Sequence, residues 1–530
     1  MSLDFAWHSQ AWVLVAPILS VCGTAVVVLV GDLFLRRVAW TVPALVGLGV
    51  AALLLLPRWN QRLPEAEAAL WGALVADRFA VFLQLVVLAC AGLSLLAAHS
   101  YGEGTETRAA EFAVLALLAT TGMMVLVASA DLITLFLGLE LMSFPTYVLC
   151  GFLRRQIKSN ESALKYFVLG SFASSVFLYG VALLWGASGS TRLVDIATAP
   201  ATLLLQLGTA LVVIGFLFKV AAAPFHMWVP DVYEGAPTPV TTFMATAVKV
   251  AAFGALLRAL LVGLLRDTMP FPFASILWWL ACLTMVVGNM SALTQDNIKR
   301  LLAFSSVAHA GYMLVGLAAV AESGWPAGAA AVLYYLLAYA FASLGAFTVV
   351  ALLGRRAEGE LQFERDWSGV ASRHPFLGMA MAVFLIALGG LPPTAGFFGK
   401  YSLFRAAIDA GLVSLVVIAV LNSLVSVYYY LRVVVAMYMK AERQPSLGIL
   451  ESLGAAGSDP AFEGPGAMAA PVEPGPRPPR LAERGGWMAR IVVILCFVAT
   501  LWLGMAPSAG GLPGLSRVMD WAEAAVASLR

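Results

Sequence analysis

The feature that most limits what this chain can become is a succession of continuous apolar runs of 18 or more residues, separated by short polar breaks. At about 1.5 Å per residue such a run crosses the hydrocarbon core of a bilayer, about 30 Å thick. Lipid offers no hydrogen bonds, so a spanning segment must satisfy its own backbone, and an unbroken apolar run does so as an α-helix. A β-barrel is excluded, because its strands alternate polarity over segments of about ten residues. Composition agrees. Of the 530 residues 61% are hydrophobic and 12% charged, about half the charge of a soluble chain, and mean hydropathy is +0.88.

The sequence therefore predicts an all-α membrane protein with 14 spans, at 11–35, 38–57, 77–98, 110–129, 131–153, 161–186, 202–229, 239–265, 273–294, 299–320, 326–353, 375–409, 412–439 and 487–507. The amino terminus lacks the positive region of a cleaved signal peptide, so the first run stays as a helix. Span 7 contains AAAPFHMWVP and span 12 contains LGGLPPTAGFFGK. Proline removes a backbone donor and clashes with the preceding turn, so both should break inside the membrane. The breaks lie five spans apart, each near a lysine, which suggests inverted five-helix repeats in spans 4–8 and 9–13. The expected organisation is spans 1–3 in 1–109, one repeat in 110–265, a second in 273–440, a loop at 441–486, and span 14 with a tail in 487–530. That loop holds eight prolines and eight glycines in 46 residues, a composition that favours disorder. Residues 512–530 carry apolar side chains at helical spacing and predict a short helix on the outer surface.

Connections after odd-numbered spans carry 18 Lys or Arg and the opposite connections eight. The positive-inside rule then puts both termini on the periplasmic face of a bacterial inner membrane. A net charge of +2 gives no basic field for nucleic acid. The five cysteines, Cys22, Cys90, Cys150, Cys282 and Cys496, stand singly in apolar runs, so they read as small hydrophobes rather than metal or cluster ligands. No metal or cofactor site is predicted. There is no dinucleotide fingerprint, phosphate loop or zinc-protease motif, so this chain cannot itself oxidise a nicotinamide.

What remains is a set of charges where charge is costly. Lys165, Lys219, Lys249, Arg258, Lys400, Arg432 and Glu140 all fall within spans. A charge at the bilayer centre costs about 2.5–3.5 kcal/mol on insertion scales, so it tends to face the bundle interior and to serve function. Glu140, Lys249 and His309 lie about 15 Å inside their spans, and Lys400 follows the break of span 12. Lys165 is close enough to the membrane surface to snorkel. Arg258 and Arg432 read as structural partners or interface anchors rather than relay members, and Asp131, at the outer end of span 5, as an N-cap or interfacial residue. Burial lowers the proton affinity of an ammonium and a neighbouring carboxylate raises it, so a Lys–Glu pair of changing separation can load and release a proton. The alternative is a static ion pair that fixes helix packing. A series of lysines with a glutamate and two histidines, His226 and His309, favours transport. Ser305, Ser306, Tyr312 and Thr246 suit either water chains or helix–helix hydrogen bonds.

The run FLFKVAAAPFHMWVPDVYEGAPTPVTTFMATAVKVAAF (216–253), with NIKRLLAFSSVAHAGYMLVGL (297–317) and LIALGGLPPTAGFFGKYSLF (385–404), resembles the proton-translocating subunits of respiratory complex I and their relatives in multisubunit cation/proton antiporters. Within that superfamily PDVYEGAPTPV and NESALKYFVLGSFASSVFLYG (160–180) resemble subunit N of bacterial NADH–quinone oxidoreductase. Lys400 argues against subunit M, which carries a glutamate there, and the absence of a long lateral helix argues against subunit L. The 441–486 loop is longer than the family pattern needs.

The resemblance implies a relay. Glu140 matches the glutamate of span 5, Lys219 its partner, Lys249 the connecting lysine and Lys400 the output lysine. Lys165 matches a modulator near the glutamate–lysine pair, and His226 a polar bridge after the break. It further implies FMN, iron–sulfur clusters and quinone in other subunits, with none in this chain, and neighbouring membrane subunits as partners. Competing expectations are an antiporter subunit and an inactive spacer.

Overall fold

The computed structural model describes residues 9–35, 39–59, 72–102, 109–265, 272–323, 326–356, 359–360, 363–439, 486–505 and 515–529. The proline- and glycine-rich loop predicted at 441–486 lies almost wholly outside them. Among the described residues eleven helices are long and apolar enough to cross a membrane, and three shorter apolar helices accompany them. We label α1 Ser9–Phe34, α2 Thr41–Leu55, α3 Arg78–Gly102, α4 Ala109–Ala128, α5 Leu132–Cys150, α6 Ile157–Ser188, α7 Leu203–Lys219, α8 Trp228–Gly235 and α9 Thr238–Leu264. There follow α10 Phe273–Leu293, α11 Ile298–Ser323, α12 Pro326–Gly354, α13 Pro375–Gly389, α14 Ala395–Asp409, α15 Val413–Met439, α16 Trp487–Trp502 and α17 Leu515–Ala527.

Both proline breaks fall where the sequence puts them. Span 7 divides into α7 and α8, and span 12 into α13 and α14. The first break turns at Ala221, with φ of 64°, and the second at Gly390, with φ of 81°. Gly390 is required twice over: the left-handed backbone favours glycine, and a Cβ there would lie 2.7 Å from Lys400 Cδ.

Helix pairs on either side of the breaks pack alike. α4 lies on α5 and α10 on α11; α6 lies on α7, and α12 on α13. Apolar side chains gain nothing by leaving lipid for one another, so small residues that admit a close backbone set these contacts. A Cβ on Gly122 would sit 2.3 Å from the Met142 nitrogen, and one on Gly138 2.7 Å from that of Leu126. In the second pair Gly288 meets the Ala308 nitrogen at 2.5 Å and Gly311 that of Met285 at 2.7 Å.

The two arginines within spans are anchors, as predicted. Arg258 forms a two-pronged pair with Asp77 at 2.7 Å on each arm and donates to the Val127 carbonyl at 3.1 Å. It thereby ties α9 to the start of α3 and the end of α4. Arg432 donates to the carbonyls of Leu293, at 2.9 Å, and Gln295, closing the end of α10, where unpaired carbonyls favour a cation. Asp131 caps α5 by accepting from the amides of Ile133, at 2.8 Å, and Thr134, at 3.2 Å. Helix α17 buries Val518, Ala522, Ala525 and Val526 against α3 and α12. It is thus docked on the protein's own bundle.

Removing one member of a buried ion pair strands the other, at about 3–5 kcal/mol, whereas replacing both by apolar residues is often neutral. Arg258→Met should therefore lower the thermal midpoint of the detergent-solubilised protein substantially, and adding Asp77→Leu should recover much of the loss. Equal midpoints for wild type and Arg258→Met would show that the pair does not anchor α9.

Candidate functional site

Lys219 ends α7, and the break begins one residue later. Residues 221–227 leave α-helical hydrogen bonding, and the freed groups find other partners. The Phe218 carbonyl accepts the Trp228 indole N–H at 3.1 Å, and the Ala223 amide donates to the Thr284 hydroxyl at 3.0 Å. Lys219 is 4% exposed. Its Nζ lies 5.3 and 5.2 Å from the ring centroids of Tyr147 and Tyr166 and 3.5 Å from the Tyr147 hydroxyl. The electron-rich faces of two tyrosines thus stand where water would otherwise solvate the ammonium.

Glu140 is seven residues before Tyr147 on α5, two turns along the same face. It accepts a hydrogen bond from Ser174 of α6. No direct ion pair joins it to Lys219 among the described residues; Tyr147, on the same face of α5, stands beside the lysine instead. Glu140 is half-buried beside the exposed apolar side chains of Leu137, Leu141 and Phe144.

Lys249 and Lys400 are 2% and 3% exposed, and both reach α11, a helix buried along nearly its whole length. Lys249 Nζ donates to the Ser306 carbonyl at 2.6 Å and to its hydroxyl at 2.5 Å, and the Tyr339 hydroxyl donates to the same oxygen at 2.9 Å. One turn on, His309 Nδ1 lies 2.6 Å from the Tyr335 hydroxyl and Nε2 3.1 Å from that of Tyr430, which also bonds Ser305. Another turn on, Tyr312 presents its ring to Lys400 Nζ at 4.6 Å. Lys400 Nζ donates to the Gly389 carbonyl at 2.9 Å and the Ser423 hydroxyl at 2.8 Å. Gly389 closes α13, so its carbonyl is free because the helix is broken there.

The structure thus brings Lys249, His309 and Lys400 to successive turns of one hydroxyl-rich face of α11, where Ser305, Ser306 and Tyr312 lie. Lys219 and Glu140 form a second cluster between α5, α6 and α7. His226 lies in the first break, half-buried with Nδ1 unpartnered, and no described contact joins it to Lys219 or Lys249. Lys165 belongs to neither cluster. Its side chain, 40% exposed, pairs with Asp231 at 2.8 Å and Glu161 at 2.6 Å.

Residue-type reasoning passed over the tyrosines other than Tyr312. Tyr147, Tyr335, Tyr339 and Tyr430 supply hydroxyl contacts and Tyr166 a ring face, and their density in apolar spans was the available signal. It also passed over Gly170, where a Cβ would lie 2.2 Å from the Tyr147 hydroxyl. A third missed group binds α6, α8 and α11 together at one end of the bundle. Arg300 pairs with Asp231 at 2.8 Å and Glu234 at 3.1 Å, and Lys158 with Glu234 at 2.9 Å. Burial pushes both carboxyls up, but hydrogen bonds from Lys165 and Arg300 to Asp231, and from Lys158 and Arg300 to Glu234, outweigh it and hold both below the ordinary carboxylate value.

Residues 129–426 match the family model described as NADH:quinone oxidoreductase/Mrp antiporter, TM. A Trichlorobacter lovleyi protein named NADH-quinone oxidoreductase subunit N is 46% identical over 435 residues, covering 80% of this chain and 86% of the relative. The chain belongs to the NADH-quinone oxidoreductase subunit N family. The Mycobacterium tuberculosis subunit N is 37% identical, with 98% of each chain covered. A chain of respiratory complex I from Thermus thermophilus superposes with a TM-score of 0.72 at 33% identity, covering 93% of this chain and 98% of that one. A chain of the Mrp complex from Dietzia sp. reaches 0.81 at 23% identity, over 98% of both. Subunit N therefore shares its fold with antiporter subunits, and sequence identity rather than shape separates them.

Depressed folded-state values mean that the Asp231 and Glu234 pairs stabilise fully above the unfolded carboxylate range and lose that contribution as pH falls through the lowered values. Arg300→Gln should lower the thermal midpoint by the same amount from about pH 8 to 5, and by progressively less below about pH 4. A difference that fades between neutral pH and about pH 6 would show that other groups hold α8 to α11.

Proposed function

We propose that this chain is a proton-translocating membrane subunit of an NADH–quinone oxidoreductase, in which quinone reduction elsewhere in the complex drives protons past Glu140, Lys219, Lys249, His309 and Lys400. The observation that carries this reading is the placement of three almost fully enclosed ammonium groups, two of them on one hydroxyl-lined helix face. A carboxylate on α5, two turns from the tyrosine that faces the third, makes no direct ion pair with it. A closed Glu140–Lys219 pair would be a static brace. An offset pair can close and open, and each change alters how firmly Lys219 holds its proton.

Moving one charge against 100 mV requires about 2.3 kcal/mol. Two unit charges about 4 Å apart at an effective dielectric constant near 20 interact by about 4 kcal/mol, so rearranging one pair suffices. A proton leaving Lys219 passes by way of Lys249 and His309 to Lys400, and from there to the periplasm. His309 suits the middle position because one ring nitrogen accepts while the other donates, each here beside a tyrosine hydroxyl. Lys165 acts as a modulator through Asp231 on α8 rather than by contact with Glu140, and His226 is a polar relay at the first break.

The excess of Lys and Arg in the connections after odd-numbered spans supports both termini on the periplasmic side of a bacterial inner membrane. The like packing of α4–α5 with α10–α11, and the two breaks five spans apart, support fourteen spans with inverted repeats at 110–265 and 273–440. The chain carries no nicotinamide, flavin or cluster motif, so it acts as a non-redox subunit, with FMN, iron–sulfur clusters and quinone handled by other subunits. Neighbouring membrane subunits are its partners. A carboxylate half-open on an apolar face favours such a neighbour over lipid, because lipid leaves its remaining lone pairs unsatisfied. The antiporter reading is the second choice, and the 46% identity to a subunit N weighs against it.

Lys219→Ala should leave the complex assembled. It should also slow NADH-driven proton pumping in inverted membrane vesicles on the order of tenfold, equivalent to about 1.4 kcal/mol at the limiting step. Assembled Lys219→Ala complex that respires and pumps at the wild-type rate would overturn the proposal.

A further inference from the structure

Lys249 is enclosed on every side, so a proton that leaves it must be replaced along some path from water. One cavity of about 190 Å³ lies at the end of the bundle where α3 and α5 finish and α2, α4 and α9 begin. Its wall includes Thr41, His99, Phe112, Phe152, Pro237 and Pro239. His99 Nδ1 lies 3.0 Å from the Thr41 hydroxyl. At about 30 Å³ per water, the cavity has room for about six.

From this cavity a file of polar side chains runs inward between α3 and α9. Three contacts fix the antiparallel register of these helices: Asp77 pairs with Arg258, Leu83 lies against Gly254, and Cys90 lies against Thr246. In each pair the two residue numbers add to nearly the same total. The same register sets Ser94 level with Thr242, and His99 level with Pro237, which the shared cavity wall bears out. Ser94 is 2% exposed, and its hydroxyl has no hydrogen-bond partner. A buried orphan hydroxyl costs about 1–3 kcal/mol unless water reaches it, and the cavity wall at Ala98 lies one turn along α3. Thr242 donates to the Thr238 carbonyl at 2.9 Å and Thr246 to that of Thr242 at 2.8 Å, which leaves both hydroxyl oxygens able to accept. Thr246 is one turn before Lys249, in a segment of α9 wound into wider π-type turns, a distortion common at functional sites.

We propose that this cavity is the water-filled inlet that recharges Lys249, with His99 at its mouth and Ser94 and Thr246 as the links inward. His99 takes a proton from cavity water on one ring nitrogen and returns one to the file from the other. Ser94 and Thr246, joined by waters, hand a proton to the neutral Lys249 amine. No bond other than those to hydrogen changes, and no electron moves. The inlet rests on the reading of Lys249 as a relay group and on this face being cytoplasmic. It adds to the supply from Lys219, so that Lys249 can be reloaded from the cytoplasmic face once its proton has moved on.

The test uses assembled complex in inverted vesicles, whose outer surface is the cytoplasmic face. Ser94→Val should cut NADH-driven pumping by about tenfold or more, as expected when a positioned proton-transfer group is lost. Because that variant can fail to assemble, Ala98→Cys provides a second arm in complex that is already assembled. A charged, membrane-impermeant methanethiosulfonate added outside should cut its pumping similarly, with recovery on reduction and no effect on the wild-type chain. If both arms pump at the wild-type rate while Lys249→Ala does not, the inlet is wrong and the relay stands. If Lys249→Ala itself pumps at the wild-type rate, the relay reading fails and the inlet falls with it.

Discussion

The interaction on which this structure depends is between a buried ammonium and oxygen atoms that have no better use. An isolated charge in a low-dielectric interior is costly, and the chain supplies few carboxylates within its spans to offset it. The break of span 12 answers this directly. It ends helical bonding at Gly389, and that freed carbonyl accepts Lys400. The break of span 7 works differently. Its freed Phe218 carbonyl takes the Trp228 indole, which stacks on Tyr166 with ring centroids 4.4 Å apart, and Tyr166 faces Lys219. In one break the backbone solvates the cation; in the other it positions the aromatic ring that does.

Helix α11 is where these local solutions join. Ser306, His309 and Tyr312 fall one turn apart on one face, so a single helix touches both Lys249 and Lys400. Its acceptors are hydroxyls and a carbonyl rather than carboxylates. Such partners hold an ammonium without fixing it as a closed ion pair would, and this suits the proton release proposed for Lys249 and Lys400. Direct ion pairs are placed elsewhere: Arg258–Asp77 at the far end of α9, and the Asp231 and Glu234 cluster at the near end of α11. They brace the helices that carry the buried lysines.

Much of this was legible beforehand. Long apolar runs, both proline breaks, the anchoring roles of Arg258 and Arg432 and the cap at Asp131 follow from local chemistry, because each is a property of one helix or of its ends. The lysines could be singled out because charge in an apolar span is costly wherever the helix packs. Lys165 shows the limit. Depth placed it near the surface and family resemblance placed it near Glu140. The fold sends it to Asp231, because the first break brings α8 back across the foot of α6. The roles of the other tyrosines were illegible for a related reason: an aromatic side chain in a span suits lipid, packing or a cation equally, and only its neighbours decide.

The sequence alone thus determined that the chain crosses a membrane as helices, which two of them break, and which side chains are too costly to be accidental. Those facts depend on transfer free energies and backbone geometry, which act residue by residue. Tertiary structure alone decided that Glu140 stands apart from Lys219, that Lys249 and Lys400 share α11, and that an orphan hydroxyl at Ser94 lies between a cavity and Lys249. Each of these is a distance between helices, and in a bilayer that distance is set by which small residues let two backbones meet.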